Sequence, residues 1–292
     1  MTSENAPFVS VIIPHLDQCD LLVKCLDSLD RQTFDRARFE VIVVDNGTPG
    51  GVGWIAEQFP RVLFAHAAEK GAAHARNEAM THARGEILAF IDADCMAEAD
   101  WIETGVEALK SADLAGGRIV VTSENESAPS PVEAFERVFA FQQRNYVEKK
   151  SFSATANLFV WRRAAEAIGL FTNGLSEDVD WCRRGVALGF HLAFNPNSVV
   201  RHPARRDWSE LIRKWERLIA ERWEEVDRKD AFGVLRWLSL AAATALSFAP
   251  HLLKVMTSAE LKSAHDRIAA ACVLAKIRLW RAWRMTAMLA AK

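Results

Sequence analysis

The stretch Gly85–Cys95, GEILAFIDADC, constrains this chain more than any other. Five consecutive apolar residues, Ile87 to Ile91, stand between a turn glycine and Asp92-Ala93-Asp94. An unbroken apolar run of this kind reads as a strand covered on both faces of a parallel sheet, because a half-solvated strand would alternate. The position just past its C-terminal end is where open α/β sheets bind their ligands. Asp92 and Asp94 turn the same way if strand geometry continues through them. Two convergent carboxylates then suit a divalent cation that in turn holds a phosphate; the other reading is a helix cap and a solvated loop.

Segments before and after repeat the alternation of strand and helix. Phe8 to Ile13 is a β-rich run that Pro14 should end, since proline offers no ladder donor. Asp17 to Gln32 carries Leu21, Leu22, Cys25, Leu26 and Leu29 at helical spacing. Phe39 to Val44 is a second buried strand, closed by the turn Asp45-Asn46-Gly47. Gly50, Gly51 and Gly53 follow without the spacing of a phosphate loop. Arg61 to His66 is a third strand, and Lys70 to Asn77 opens a small-residue helix lasting to about Ala83. The free N–H groups and positive dipole end of that helix favour a diphosphate. Arg76, one turn in, is spaced to bond a phosphate or base, or to pair with one of the aspartates. This order predicts a parallel sheet with right-handed crossovers.

Further on, the pattern predicts a helix over 98–110, a strand over 114–121, one helix over 132–146 and a strand over 155–161. Two short strands, 190–194 and 198–201, flank Asn195-Pro196-Asn197. Before these strands lies Gly174–Arg184, GLSEDVDWCRR, where Ser176 is the expected N-cap and Glu177, Asp178 and Asp180 fill the first turn. Three acids in four residues beside Trp181 exceed what a cap requires, and a partly desolvated carboxylate there is a general-base candidate. His202, at a strand end, is a metal ligand only if it faces the aspartates.

The formal net charge of −2 conceals an asymmetry: from Arg205 onward 17 Lys/Arg face 10 Asp/Glu, giving +7 there and −9 before it. That pattern points to a membrane surface or an anionic partner for the tail, and nothing in it implies nucleic acid. The five cysteines show no paired spacing, so neither a disulfide framework nor a zinc site is expected. No basic stretch precedes Phe8, which argues against a secretory signal and for a cytoplasmic chain. Arg205 to Lys229 predicts a long amphipathic helix rich in Trp. Trp237 to Leu253, 17 residues without Lys, Arg, Asp or Glu, sits at the lower edge of a spanning length. Ala264 to Lys292 sets Trp280 and Trp283 among Lys276, Arg278, Arg281 and Arg284, the composition of an interfacial anchor. The competing readings are a helical hairpin packed on the body or a contact with a second copy.

Seven stretches, in order, resemble the family-2 glycosyltransferases, inverting enzymes with a Rossmann-like α/β fold termed GT-A. They are FVSVIIPHLDQCDLLVKCLDSLDRQTF, FEVIVVDNGT, KGAAHARNEA, GEILAFIDADC, TANLFVWRRAAEAIGLF, GLSEDVDWCRR and VVRHP, spanning about 8–203. The resemblance implies a catalytic domain over 1–204, with a mostly parallel central sheet, and a C-terminal helical extension over 205–292. It implies that Asp45 reads the base of a nucleotide-sugar donor, usually a UDP-sugar, with Pro14 on the pocket wall and Arg76 at the nucleotide end. Asp92 and Asp94 are the implied DxD pair, Asp94 binding Mg²⁺ or Mn²⁺ with Asp92 beside it and His202 completing the metal shell. Asp178 is the implied catalytic base, supported by Glu177. Leu16 replaces an aromatic and Asp17 an asparagine common in the family, and the processive QxxRW signature is not evident. The implied reaction is one sugar moved to a hydroxyl of a saccharide or lipid-linked acceptor, in bacterial cell-surface polysaccharide synthesis at the inner membrane. The rivals are a sugar nucleotidyltransferase, which would want a Gly-rich basic loop where PHLDQ stands, and an inactive membrane-associated scaffold.

Overall fold

The protein is described here by a computed structural model, covering residues 8–174, 176–224, 226 and 230–290. It forms two compact units, one through Val120 plus Gln142–His202, the other Val121–Phe141 plus Pro203 onward. The boundary expected at 204/205 is therefore crossed earlier as well, because 121–141 belongs with the C-terminal helices.

The strands are β1 (Val9–His15), β2 (Phe39–Asp45), β3 (Val62–His66), β4 (Ile87–Phe90), β5 (Met96–Ala97), β6 (Leu114–Thr122), β7 (Leu158–Trp161) and β8 (Leu192–Pro203). They make one sheet in the order β3-β2-β1-β4-β7-β6-β8-β5. β3, β2, β1 and β4 run parallel, as the alternation predicts, while β7 is antiparallel to β4 and to β6, and β5 is antiparallel to β8. The sheet is thus mixed, its parallel half the more regular.

β1 continues past its expected stop. Pro14 pairs in register with Val44 and His15 with Asp45, whereas the β4 side of β1 closes at Ile12–Phe90. The carbonyl of Ile12 accepts from Ile91 on the β4 side, and that of His15 accepts from Asn46 on the β2 side. Alternation turns the Pro14 nitrogen toward β4, where no ladder partner remains to be lost.

β4 is buried at all four positions. Gly85, just before it, does more than turn the chain: a Cβ there would meet Ser10 N at 2.6 Å and Val9 C at 2.8 Å. Gly85→Ala should therefore push β4 from the β1 backbone and destabilise the fold by about 1–3 kcal/mol, read as a lower denaturant midpoint at unchanged slope.

Helices α1 (Cys19–Asp30), α3 (Ala72–His82) and α4 (Trp101–Ala108) lie where the sequence pattern puts them, whereas the short α2 (Gly53–Gln58) forms where it predicts no helix. The single helix expected over 132–146 is two, α5 (Pro131–Phe139) and α6 (Gln143–Lys150). α5 starts at a capping box of Ser130 with Glu133 and buries Val132, Phe135 and Val138 among residues of the C-terminal helices. Gln143 instead bonds Gly117 O, Ser153 Oγ and Ala154 N of the first unit. One periodic pattern serves two cores, so periodicity could not reveal the break. The two short strands expected around Asn195-Pro196-Asn197 are one, β8, in which Asn195 accepts from Asn197 N and donates to Thr104 O.

α7 (Arg162–Ile168) and α8 (Glu177–Ala187) complete the first unit. In the second, α9 (Trp208–Glu224), α10 (Ala231–Leu246), α11 (Phe248–Thr257) and α12 (Ala264–Ala290) join α5. Of the helix expected over 205–229, positions 225 and 227–229 lie outside the described residues, as do 291–292 of the expected C-terminal anchor. Ala231–Thr257 is long and apolar enough to cross a membrane by length and composition, with a turn at Ser247 between α10 and α11.

Candidate active site

The strand of the opening stretch stops at Phe90, and Cys95 N bonds back to Asp92 O at 3.0 Å. Asp92–Cys95 is therefore a turn, and the strand alternation that would have aligned the two carboxylates is broken there. They point to different partners. Asp94 Oδ2 lies 3.3 Å from His202 Nε2, whereas Asp92 Oδ1 accepts from Arg76 Nη2 at 3.0 Å.

His202 reaches Asp94 because β5 and β8 pair with Met96 opposite Arg201, which sets the next residues, Cys95 and His202, against each other. Asp94, Cys95 and His202 present ligand atoms within 4.8 Å of one another. Burial, with Asp94 and Asp92 adding to it, raises the Cys95 thiol well above its ordinary range, and its soft sulfur is the donor of the three least suited to an oxygen-preferring cation. A carboxylate and an imidazole remain. This oxygen and nitrogen pair suits Mn²⁺ or Mg²⁺ with phosphate oxygens completing the shell. Burial also holds Asp92 above the usual carboxylate range, with Arg76 pulling the other way.

Arg76 stands one turn into α3 and is only 4% exposed. Its Nη1 donates to Glu177 Oε1 at 2.8 Å while Nη2 holds Asp92, and its Nε is buried without a partner. The guanidinium thus ties the end of β4 to the start of α8. The pairing with an aspartate that the sequence allowed is present, and the terminal nitrogens hold the two acidic motifs together. Supporting bonds fix α3: Asn46 Oδ1 accepts from Gly71 N at 2.6 Å, and Asn77 exchanges two bonds with the Phe171 backbone. Gly71 has φ +134, and a Cβ there would run into Asn173 Oδ1.

At the start of α8 the three acids take three roles. Glu177 binds Arg76. Asp180 pairs with Arg184 at the surface, as a solvated first turn would predict. Asp178 has no ion-pair partner among the described residues; its Oδ1 accepts from Val179 N at 2.8 Å. Burial, then the Glu177 charge, raise Asp178 to about 6 against the pull of Arg76. Ser176 stands at the N-cap as expected, but it is left-handed at φ 47 and its side chain makes no cap bond. What seats α8 is Trp181, fully buried, stacked on Phe171 at 4.6 Å and edge-on to Phe90, with its indole N–H on Gly169 O.

Asp45 ends β2 as read, but its carboxylate is largely occupied. Oδ1 accepts from Thr48 Oγ1 at 2.5 Å and from His15 Nδ1 at 3.1 Å. Because His15 Nε2 accepts from Gln18 N, the proton belongs on Nδ1. Burial opposes the charge of Asp45, yet the bonds from Thr48 and His15 leave its pKa lowered. The sequence reading did not single out His15 or Thr48. The available signal was Thr48, a hydroxyl donor three residues after Asp45 in the turn that closes β2. Pro14 flanks His15 and is half-buried; Leu16, in the family's aromatic position, is 49% exposed. A cavity of about 600 Å³ lined by Glu86, Trp161 and Arg162 opens at the other end of β4, away from these groups.

A twisted α/β sheet with acidic turns gathered beyond the C-terminal ends of its parallel strands defines the GT-A class of glycosyltransferase. Residues 10–169 match glycosyl transferase family 2, and the chain belongs to that family. It is 33% identical over 259 residues to glycosyltransferase AglE of Haloferax volcanii, covering 86% of this chain and 84% of that one. Mannosyltransferase PcManGT from Pyrobaculum calidifontis, solved with GDP-Man and Mn²⁺, shares the fold at TM-score 0.56 and 19% identity, over 98% of this chain and 76% of that one. S. aureus TarS 1–349, solved with UDP-GlcNAc, does so at TM-score 0.54 and 15% identity, over 94% and 72%.

Proposed function

We propose that this glycosyltransferase moves one sugar, with inversion, from a nucleoside-diphosphate donor to a hydroxyl of a saccharide or lipid-linked acceptor. A UDP-sugar is the favoured donor. The observation that carries the reading is the Arg76 bridge, which joins Asp92 on the donor side to the acidic turn that holds Asp178. Inversion is an in-line displacement at the anomeric carbon. It needs a base on the acceptor side and positive charge behind the departing diphosphate.

Asp178, raised to about 6 and free of a cationic partner among the described residues, suits removal of the acceptor proton near neutral pH. Glu177, held by Arg76, keeps a negative charge beside it that sustains that pKa. Asp94 and His202 would hold Mg²⁺ or Mn²⁺, and such an ion supplies the charge that the departing diphosphate requires. The Asp45–His15–Thr48 group fixes the Asp45 carboxylate, whose Oδ2 accepts from Thr48 N at 3.1 Å and keeps a second lone pair for the N–H of a base, with Pro14 beside it.

The second unit, with its basic, Trp-bearing helices and the apolar stretch Ala231–Thr257, supports contact with a membrane, at its cytoplasmic face. Cell-surface polysaccharide assembly is the setting such a donor, acceptor and location favour.

A thermal-shift screen checks the donor and metal together. Mn²⁺ with the correct nucleotide-sugar at about 100 times its Kd should add about 2.7 kcal/mol of stability, and Asp94→Ala should remove that gain. An equal shift in Asp94→Ala would reject the metal assignment.

A further inference from the structure

The second unit shows how it treats a buried charge when the partner is its own. Glu136 of α5, 1% exposed, accepts from Arg205 N, from Arg205 Nη1 and from Lys214 Nζ at 3.0–3.2 Å. Burial raises a carboxylate, yet these two cations bring Glu136 below its ordinary range. Every strong acceptor is answered there.

Elsewhere in the unit the pattern fails in one direction. α12 buries Leu274, Ile277 and Met285, and Arg278 and Arg281 fall on the same face at the i, i+3, i+4 spacing of neighbours. Arg281 lies over the Trp215 ring of α9 at 3.5 Å. The Nε atoms of Arg278 and Arg281 and Nε1 of Trp215 are buried with no hydrogen-bond partner. All three are donors. No ion pair is formed by Arg222, Arg278 or Arg281 among the described residues. Burial, and after it the nearby Arg278 and Arg222, lower Arg281 to about 9. Burying unanswered donors and like charges costs free energy that a leucine would avoid. A set of donors without an acceptor is completed by an anion with several oxygens.

The surroundings add an apolar half. Met285 and Trp280 pack in one cluster with Val226, Trp237 and Leu240. The last three also line a cavity of about 560 Å³ whose charged walls are Arg222, Arg236 and Asp230. Asp230 is spent capping α10, where it accepts from Phe232 N, so the cavity's uncommitted charge is positive. Phe232 and Leu246 of α10 are 79% and 78% exposed, an apolar surface beside basic groups.

We propose that Arg278, Arg281 and Trp215 bind the phosphate of an anionic lipid, with Arg222 beside them and the lipid tail along the apolar face of α10. The inference rests on the membrane-contact reading of this unit and names the group recognised there. It gives the two arginines of α12 a ligand rather than a packing role, and it makes the contact chemically selective instead of merely basic.

The test uses the full chain and dihexanoyl phosphatidic acid below its critical micelle concentration, titrated by calorimetry. Arg278→Gln/Arg281→Gln should weaken binding by at least about tenfold, the loss of charge-assisted bonds. The control Lys276→Gln/Arg284→Gln removes the same charge from α12 and should bind as the parent does. Trp215→Phe keeps an aromatic ring under Arg281 while removing the indole N–H, so it reads the site even if the double variant folds poorly; a several-fold loss is expected. Equal loss in the control pair, or no binding by the parent, overturns the site. Equal affinity for inorganic phosphate makes it a free-phosphate site and overturns the lipid. Flotation on neutral and anionic vesicles separates the premise. A chain that floats on both, unaffected by Arg278→Gln/Arg281→Gln, contacts membrane without this site, and one that floats on neither has lost the membrane reading itself.

Discussion

Asp178→Asn is expected to lower kcat by about 10²–10⁴-fold, the usual worth of a positioned general base, while leaving the fold and donor binding intact. Asparagine keeps the side chain's size and its carbonyl can still accept from Val179 N, so the loss isolates proton removal. The pH profile gives an independent signature. Burial and the Glu177 charge raise Asp178 to about 6, and the base acts only when ionised. The parent should therefore hold full kcat/KM above about pH 7 and lose it tenfold per unit below about 6, whereas the variant should lack that acid limb. Glu177→Gln removes the neighbouring charge that helps raise Asp178, so its acid limb should move to lower pH. An Asp178→Asn variant within a factor of three of the parent at pH 7.5 would assign the base elsewhere.

Arg76→Ala is the second large effect, and it reads stability as well as rate. One guanidinium answers Asp92 and Glu177 at 3.0 and 2.8 Å. Removing it leaves two carboxylates facing each other without a cation. Deleting one partner of a buried ion pair costs about 3–5 kcal/mol; partial solvation of Asp92, one-third exposed in its side chain, places this case near 3. Arg76→Lys should recover little, because a single ammonium cannot span both carboxylates as the two terminal nitrogens do. Denaturant unfolding checks the stability. Activity should fall with it, since the start of α8, and so Asp178, loses its tie to β4. Full stability in Arg76→Ala would mean that the bridge holds nothing.

Much of the fold was legible. The continuous apolar runs of β1, β2 and β4 have one physical reading, burial on both faces, and they pair in parallel. Helical spacing placed α1, α3 and α8 within a few residues. What escaped were features settled by a partner distant in sequence. Pro14 stays in β1 only because β4 ends beside it. α5 and α6 share one period but pack in separate cores.

The site divides in the same way. Asp92, Asp94, Glu177, Asp178 and His202 stood out by residue type and position, since acids after a buried strand, and more acids than a helix start requires, point to chemistry as well as to capping. Their grouping did not. The tilt of Asp92 away from Asp94 follows from a backbone turn at Asp92–Cys95, and the approach of His202 follows from the β5–β8 register. The occupancy of Asp45 by His15 and Thr48 was equally invisible, because a hydrogen bond between residues 30 apart leaves no local pattern.

By itself, then, the chain of residues determined a buried parallel core, the family and the acids available for chemistry, because apolar continuity and helix-start chemistry act over a few neighbours. Only the tertiary structure decided that Arg76 belongs between Asp92 and Glu177, and that Asp178 is the acid of its turn that makes no ion pair among the described residues. Burial and Coulomb interactions depend on what surrounds a group in space, and that is settled only when α3, β4 and α8 close on one another.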